Sequence, residues 1–279
     1  MTAASRSILI TGCSSGIGHA AAHDLRARGW RVFAACRQQA DCDRLRADGF
    51  ESPRIDYTDA DSIASGLSEV LLATGGTLDA LYNNGAHAIP GAVEDLPTDA
   101  LRAIFEANVF GWHDLTRRVI PVMRAQGHGR IVNCSSVLGF VPYRWRGAYG
   151  ASKYALEGLT RILALEMADT PIKVVLLQPG PIGTKIRVNS IPHFERFIDW
   201  KNSARRAQYE TDLLNRLYQP PAKKDRWELG PGAVCKALNR ALDDPDPRPS
   251  YKITTLTRAM GWAMRLLSER RVARLLSRL

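Results

Sequence analysis

Apolar residues along the chain fall into short runs that alternate with longer stretches of helical spacing. The runs are SILIT (7–11), WRVFAAC (30–36), RIDYT (54–58), LDALYNN (78–84), RIVNCSS (130–136) and IKVVLLQPG (172–180). Each has strand length, and several are apolar throughout, as strands buried on both faces are. HAAAHDLRARG (19–29) has helical spacing and stops at Gly29, and the strongest helical patterns cover 99–126 and 147–169. Strands alternating with helices predict a doubly wound α/β fold. Its parallel sheet is covered on both faces, and ligands sit at the carboxyl ends of the strands.

The rhythm fails over 185–230, where KIRVNSIPHFERFIDW and YQPPAKKDRW mix aromatic, basic and proline residues. A long excursion of this kind reads as a lid or binding loop. DDPDPRPS (243–250) is a turn-rich break. The expected organisation is one domain over 1–255 with its lid at 185–230, followed by a basic amphipathic helix over 256–279. In that tail Trp262, Leu266, Leu267, Val272, Leu275 and Leu276 recur near helical spacing, with arginines between them. Such a helix can pack on the body, on a partner subunit, or on an anionic membrane surface.

Composition narrows the class. The chain has 279 residues, 45% hydrophobic and 24% charged, enough for a sizeable core and too apolar for disorder. No run approaches eighteen apolar residues, so no transmembrane helix is expected. The first strand-like run begins at once, leaving no room for a signal peptide, and a cytoplasmic protein with possible peripheral membrane contact is expected. Cys13, Cys36, Cys42, Cys134 and Cys235 are scattered without metal-ligand spacing, which predicts reduced thiols and no metal site. The net charge of +10 suits an anionic cofactor or a membrane surface. Nucleic acid is not expected, because outside the tail the basic residues are dispersed and no recognition motif occurs.

Three features carry chemistry. ITGCSSGIG follows the first strand and opens the first helix, with Gly12, Gly16 and Gly18 in a T-G-x-x-x-G-x-G pattern. Backbone free of Cβ can approach a dinucleotide pyrophosphate, and the helix N-terminus favours negative charge. At the end of the second run, Cys36 falls where NAD-binding proteins place an acid, and Arg37 follows it. A guanidinium suits a ribose 2′-phosphate, so NADP(H) is expected over NAD(H). Tyr149 and Lys153 lie at i and i+4 of a helix and share a face. An ammonium beside a phenol lowers its pKa, and the pair can act as a general acid/base. Ser136, thirteen residues earlier at a strand end, can orient a carbonyl oxygen, with Ser135 the competing hydroxyl.

On TGCSSGIG, NNGA (83–86), Asn108 in FEANVFG, Ser136, YGASK and PGPIGT (179–184), the chain resembles the short-chain dehydrogenase/reductase family in its single-domain form. The resemblance covers about 7–184. It implies a Rossmann fold with a mostly parallel seven-stranded sheet, and an NAD(P)-dependent enzyme acting on CH–OH groups. It implies that Tyr149 is the acid/base, that Lys153 lowers its pKa and binds the nicotinamide ribose, and that Asn108 holds a water in a proton relay. It further implies cofactor contacts by Ser14, Ser15, Ile17, Asp56, Asn83, Gly85, Pro179, Gly180, Ile182 and Thr184. The family usually reads N-N-A-G where this chain has Asn83-Asn84-Gly85-Ala86. Members are usually dimers or tetramers through the long helices, here near 99–126 and 147–169. The start ILITGCSSGIG and the Cys-Arg pair look similar to the 17β-hydroxysteroid and retinol dehydrogenase branch. Phe194, Phe197, Ile198 and Trp200, beside His193, either line an apolar pocket for a medium or bulky carbonyl compound or pack the lid onto the body. The alternatives to an enzyme are a catalytically silent cofactor sensor and a membrane-docked scaffold.

Overall fold

The computed structural model describes residues 5–219 and 227–277. Six strands, β1 (Ser7–Thr11), β2 (Arg31–Ala35), β3 (Ala80–Asn83), β4 (Gly129–Cys134), β5 (Ile172–Gln178) and β6 (Ser250–Lys252), pair in parallel in the order β2-β1-β3-β4-β5-β6. The helices are α1 (Gly16–Ala27), α2 (Gln39–Ala47), α3 (Ala60–Thr74), α4 (Thr98–Phe105), α5 (Gly111–Gln126), α6 (Gly147–Glu166) and α7 (Ile186–Phe197). The short α8 (Arg206–Gln208) and α9 (Leu214–Tyr218) follow, then α10 (Gly232–Asp243), α11 (Thr255–Leu266) and α12 (Glu269–Leu276).

The central strands are apolar on both sides because helices cover both. On one face Ala21, Leu25, Val234 and Leu238 of α1 and α10 pack against Ile8, Ile10 and Val132. On the other, Ile63 and Leu67 of α3 and Val119 and Met123 of α5 pack against Leu9, Leu81 and Ile131. This is the doubly wound Rossmann arrangement expected from the sequence.

The sheet has six strands among the described residues, not seven. The run 54–58 makes only an isolated bridge between Arg54 and Cys36. Pro53 has no N–H to donate. Two residues past Arg54, the Asp56 carboxylate accepts from the Thr58 N–H at 3.0 Å and turns the chain out of the sheet. Conversely, β6 starts on the last residue of what reads as a turn-rich break: the Leu176 N–H donates to Pro249 O at 3.0 Å, and the Ile253 N–H to Gln178 O at 3.2 Å.

The 185–230 excursion is largely helical. Phe194 and Ile198 are buried beside Trp145, Tyr149 and Tyr209, with Phe197 and Trp200 partly buried against them. The aromatic residues therefore pack the lid onto the body. Residues 220–226 of that segment, and Arg278 of the tail, lie outside the described residues. The tail is two helices broken at Leu267–Ser268. Among the described residues no helix is long and apolar enough to cross a membrane. All five cysteines are unpaired and buried.

Candidate active site

Helix α6 leaves the carboxyl edge of the sheet with Tyr149 and Lys153 both on its buried face. Lys153 is 1% exposed. Its Nζ donates to Cys134 O at the end of β4, at 2.8 Å, and stands 4.3 Å above the Trp112 ring and 5.7 Å from the Tyr149 ring. Burial brings the ammonium down to about 8, against the opposing pull of Cys134 and Glu157. Burial also dominates at Tyr149 and pushes the phenol well above its ordinary range. A hydrogen bond with Ser136 and the charge of Arg146 act the other way. Spacing alone predicts a lowered phenol pKa; burial raises it instead, because the same burial that holds the pair together desolvates both members.

The two serines at the end of β4 separate cleanly. Ser135 Oγ donates to Glu157 Oε1 at 2.9 Å, and that buried carboxylate also accepts from Gln178 at 2.7 Å and Arg161 at 2.9 Å. Ser136 is half-buried, accepts from the Leu138 N–H at 3.2 Å and meets the Tyr149 hydroxyl. Ser135 belongs to the internal network, and Ser136 faces the phenol.

Asn108 sits in a π-helical turn, Glu106–Phe110, between α4 and α5. Its Oδ1 accepts from the His87 N–H at 3.1 Å, and its Nδ2 donates to His87 O at 2.9 Å and Ser152 Oγ at 3.1 Å. Ser152 Oγ in turn donates to Tyr149 O at 2.8 Å. Asn108 therefore clamps the His87 loop to the first turn of α6. The His87 ring stacks on His193 of α7, with centroids 4.1 Å apart. Burial, with His193 and Arg37 nearby, holds His87 down at about 3, so its ring is neutral.

The glycine turn lies beside this cluster. Gly12 and Gly16 adopt left-handed φ of 68° and 60°. A Cβ on Gly12 would stand 2.5 Å from Gly85 Cα, and one on Gly16 3.3 Å from the Thr184 side chain. Only glycine meets both demands. Ser14 and Ser15 form the outer turn, and Ser15 makes no side-chain bond to the N–H groups that open α1 with Gly16, Ile17 and Gly18. Cys36 is buried and burial pushes its thiol up to about 12, so Cys36 itself carries no negative charge at the end of β2. Arg37 is exposed there, with Arg44 donating to Ser14 O at 2.8 Å and Arg54 to Arg37 O at 3.2 Å. Open backbone donors and a cationic rim fit a nicotinamide dinucleotide.

A family model described as short chain dehydrogenase matches residues 6–193, more than half of the chain. The chain belongs to the short-chain dehydrogenase family. It is 37% identical to the uncharacterized oxidoreductase YbbO of Escherichia coli strain K12, covering 95% of this chain and 91% of that one. It is 34% identical to retinol dehydrogenase 8 of Bos taurus, covering 92% and 84%. A short-chain dehydrogenase/reductase from Burkholderia phymatum, solved in complex with NAD, is 25% identical with a TM-score of 0.77 over 94% of this chain and 92% of that one. This short-chain dehydrogenase is accordingly an NAD(P)-dependent oxidoreductase in the retinol and steroid dehydrogenase-like branch.

The remaining sequence-predicted residues of the dehydrogenase line the same edge. Asn83 spends its amide internally, donating to Thr116 at 3.0 Å and Asn133 at 2.9 Å and accepting from the Tyr57 hydroxyl at 2.7 Å. Asp56 holds its turn. Pro179 O accepts from the Val137 N–H at 2.7 Å, which ties PGPIGT to the Ser136 segment. Gly180 abuts Thr254 and Thr257 at the start of α11. Ile182 bridges Leu229, and Thr184 meets Gly16. Gly85 O accepts from the Trp112 indole at 2.7 Å. The sequence reading passed over Tyr57, His87, Trp112 and Glu157. Glu157 alone left a trace, at i+4 from Lys153 on the same helix face.

Proposed function

We propose that the dehydrogenase interconverts a carbonyl and an alcohol through Ser136, Tyr149 and Lys153, with NADP(H) preferred to NAD(H). The observation that carries this is the convergence of Tyr149 and Lys153 on the buried face of α6, with Nζ 5.7 Å from the phenol ring and Ser136 beside the phenol at the end of β4. A bound nicotinamide supplies or accepts the hydride. In reduction, the Ser136 hydroxyl and the Tyr149 phenol both donate to the carbonyl oxygen and fix its position. As the carbon–oxygen π bond breaks, Tyr149 gives its phenolic proton to that oxygen. A phenol held above its ordinary pKa is fully protonated beforehand, which suits it to be the acid. The Lys153 ammonium then stabilises the phenolate, and Asn108 keeps the first turn of α6 in register.

The neutral Cys36 and the guanidinium of Arg37 support the NADP(H) preference, since a 2′-phosphate meets a guanidinium where NAD-binding proteins place an acid. Partly buried apolar residues packed on the Tyr149 cluster, among them Leu138 and Ile191, support an apolar, medium or bulky substrate. The test is NADPH oxidation with a panel of aldehydes and ketones that includes a retinal and a steroid. Tyr149→Phe lowers turnover of any active member by about 100-fold or more while NADPH binding, followed by its fluorescence, is retained. Near-normal turnover in that variant removes the assignment. A KM for NADH below that for NADPH removes the cofactor preference.

A further inference from the structure

The carbonyl chemistry leaves unused a cationic flank of the same site. Arg146 caps the start of α6 one turn before Tyr149, so the two side chains leave the helix on neighbouring faces. Its backbone is fixed: the N–H donates to Tyr143 O at 3.3 Å, its O accepts from Gly150 at 2.7 Å, and it bridges Gly91. Trp145, just before it, has a φ of 66°, the one positive value at a non-glycine position among the described residues. Its indole donates to Asp212 at 2.7 Å, which ties this strained residue to the lid segment. Backbone strain of this kind persists where the surroundings over-determine it, and it clusters at binding sites.

Arg146 is half-buried and has no ion pair among the described residues. Arg187, in the first turn of α7, is half-buried and unpaired in the same way. Arg216 of α9 is committed to Asp212 at 2.6 Å and to the Tyr143 hydroxyl at 2.9 Å. The charges of Arg187 and Arg216 repel that of Arg146; Arg216 brings Asp212 with it, whereas Arg146 and Arg187 have no ion pair of their own among the described residues. Partly desolvated guanidiniums without a counter-ion are costly, and an anionic ligand removes the cost.

We propose that the substrate carries an anionic end, a carboxylate or a phosphate, held between Arg146 and Arg187 beside the carbonyl that Ser136 and Tyr149 address. The inference rests on the Ser136–Tyr149–Lys153 reading for where the carbonyl sits. The planar fork of a guanidinium matches either anion bidentately. With partly buried apolar residues such as Leu138 and Ile191 packed on the Tyr149 cluster, the substrate is amphipathic, an apolar body ending in a charge.

The test uses the full chain. Binding of 4-carboxybenzaldehyde, 4-formylphenyl phosphate and methyl 4-formylbenzoate is measured by calorimetry on Tyr149→Phe with NADPH bound. One or both anions bind about tenfold or more tighter than the neutral ester. The stronger of the two tells carboxylate from phosphate. Adding Arg146→Gln or Arg187→Gln cuts the preference to about twofold or less, and Arg146→Lys retains part of it. Arg187→Gln, on the lid, keeps the test decisive where Arg146→Gln fails to fold. An ester that binds as tightly as both anions, or a preference that survives both glutamine changes, overturns the proposal. Because binding is read without turnover, a wild-type enzyme that reduces none of the three probes counts against the Ser136–Tyr149–Lys153 reading and not against the anion site.

Discussion

Tyr149 and Lys153 are both removed from water, and removal acts on them in opposite directions. It favours the neutral phenol and the neutral amine alike, so one pKa rises and the other falls to about 8. For Lys153 the folded value lies below the ordinary 10.5, so the fold carries a penalty for the ammonium. That penalty, roughly 3 kcal/mol at most, is complete below pH 8 and is relieved as pH rises from about 8 toward 10.5. Activity runs the other way, because the ammonium is the form that stabilises the phenolate. We expect kcat/KM for carbonyl reduction to be level near neutrality and to fall above about pH 8, while Tm corrected for other titrations rises. A pH–rate profile of wild type and Lys153→Met checks this: the residual activity of the variant lacks the inflection near 8. His87, held at about 3, adds no inflection near neutral pH, although it lies beside the site.

At the scale of the element, α6 is apolar on two sides. Its inner face buries Tyr149, Ser152, Lys153, Leu156 and Thr160. On its outer side Tyr154, Leu159, Ile162 and Leu165 are exposed, with Phe110 exposed on the turn before α5. A helix with apolar residues all round is ordinarily covered all round. The expected cover is α5 and α6 of a second copy. Leu159→Glu with Ile162→Glu should lower the mass measured by light scattering to that of a monomer; an unchanged mass removes this surface from the assembly. The same helix shows why part of the site was legible. Tyr149 and Lys153 are local, four residues apart, and Gly12 and Gly16 are written as glycine because both hold left-handed φ, with Gly12 also pressed against the Gly85 backbone. Trp112 and Tyr57 are ordinary aromatic residues until the fold brings them to Lys153 and Asn83 from distant positions. The run at 54–58 has a strand-like composition, yet Pro53 and the Asp56 turn deny it a strand. Three-residue β6 has almost no pattern of its own and exists because β5 offers it a partner.

For the whole molecule, the tail matters as much as the sheet. The sequence predicts a basic amphipathic helix over 256–279 that packs on the body, on a partner subunit or on a membrane surface. Its first helix begins against the body at the site: the Thr254 hydroxyl accepts from the Thr257 N–H at 3.2 Å, and both threonines close over Gly180 of the PGPIGT loop. Trp262 and Leu266 remain exposed on the outer side of α11. A methyl group at Gly180 has no room while the tail is docked. Overpacking there should cost about 1–3 kcal/mol and weaken NADPH binding through the displaced loop. Trp262→Ser, on the far side, should change stability by about 0.5 kcal/mol or less. The decisive comparison is a double-mutant cycle with a chain ending at Ile253. That truncation removes α11, α12 and both Thr254 and Thr257, and with them the obstacle to a Cβ. If the tail supports the site through Gly180, Gly180→Ala is costly in the full chain and nearly silent in the shortened one, so the two changes are strongly non-additive in urea unfolding. Additive costs would mean that the tail stabilises the body elsewhere and that the loop carrying Pro179–Thr184 holds its shape alone.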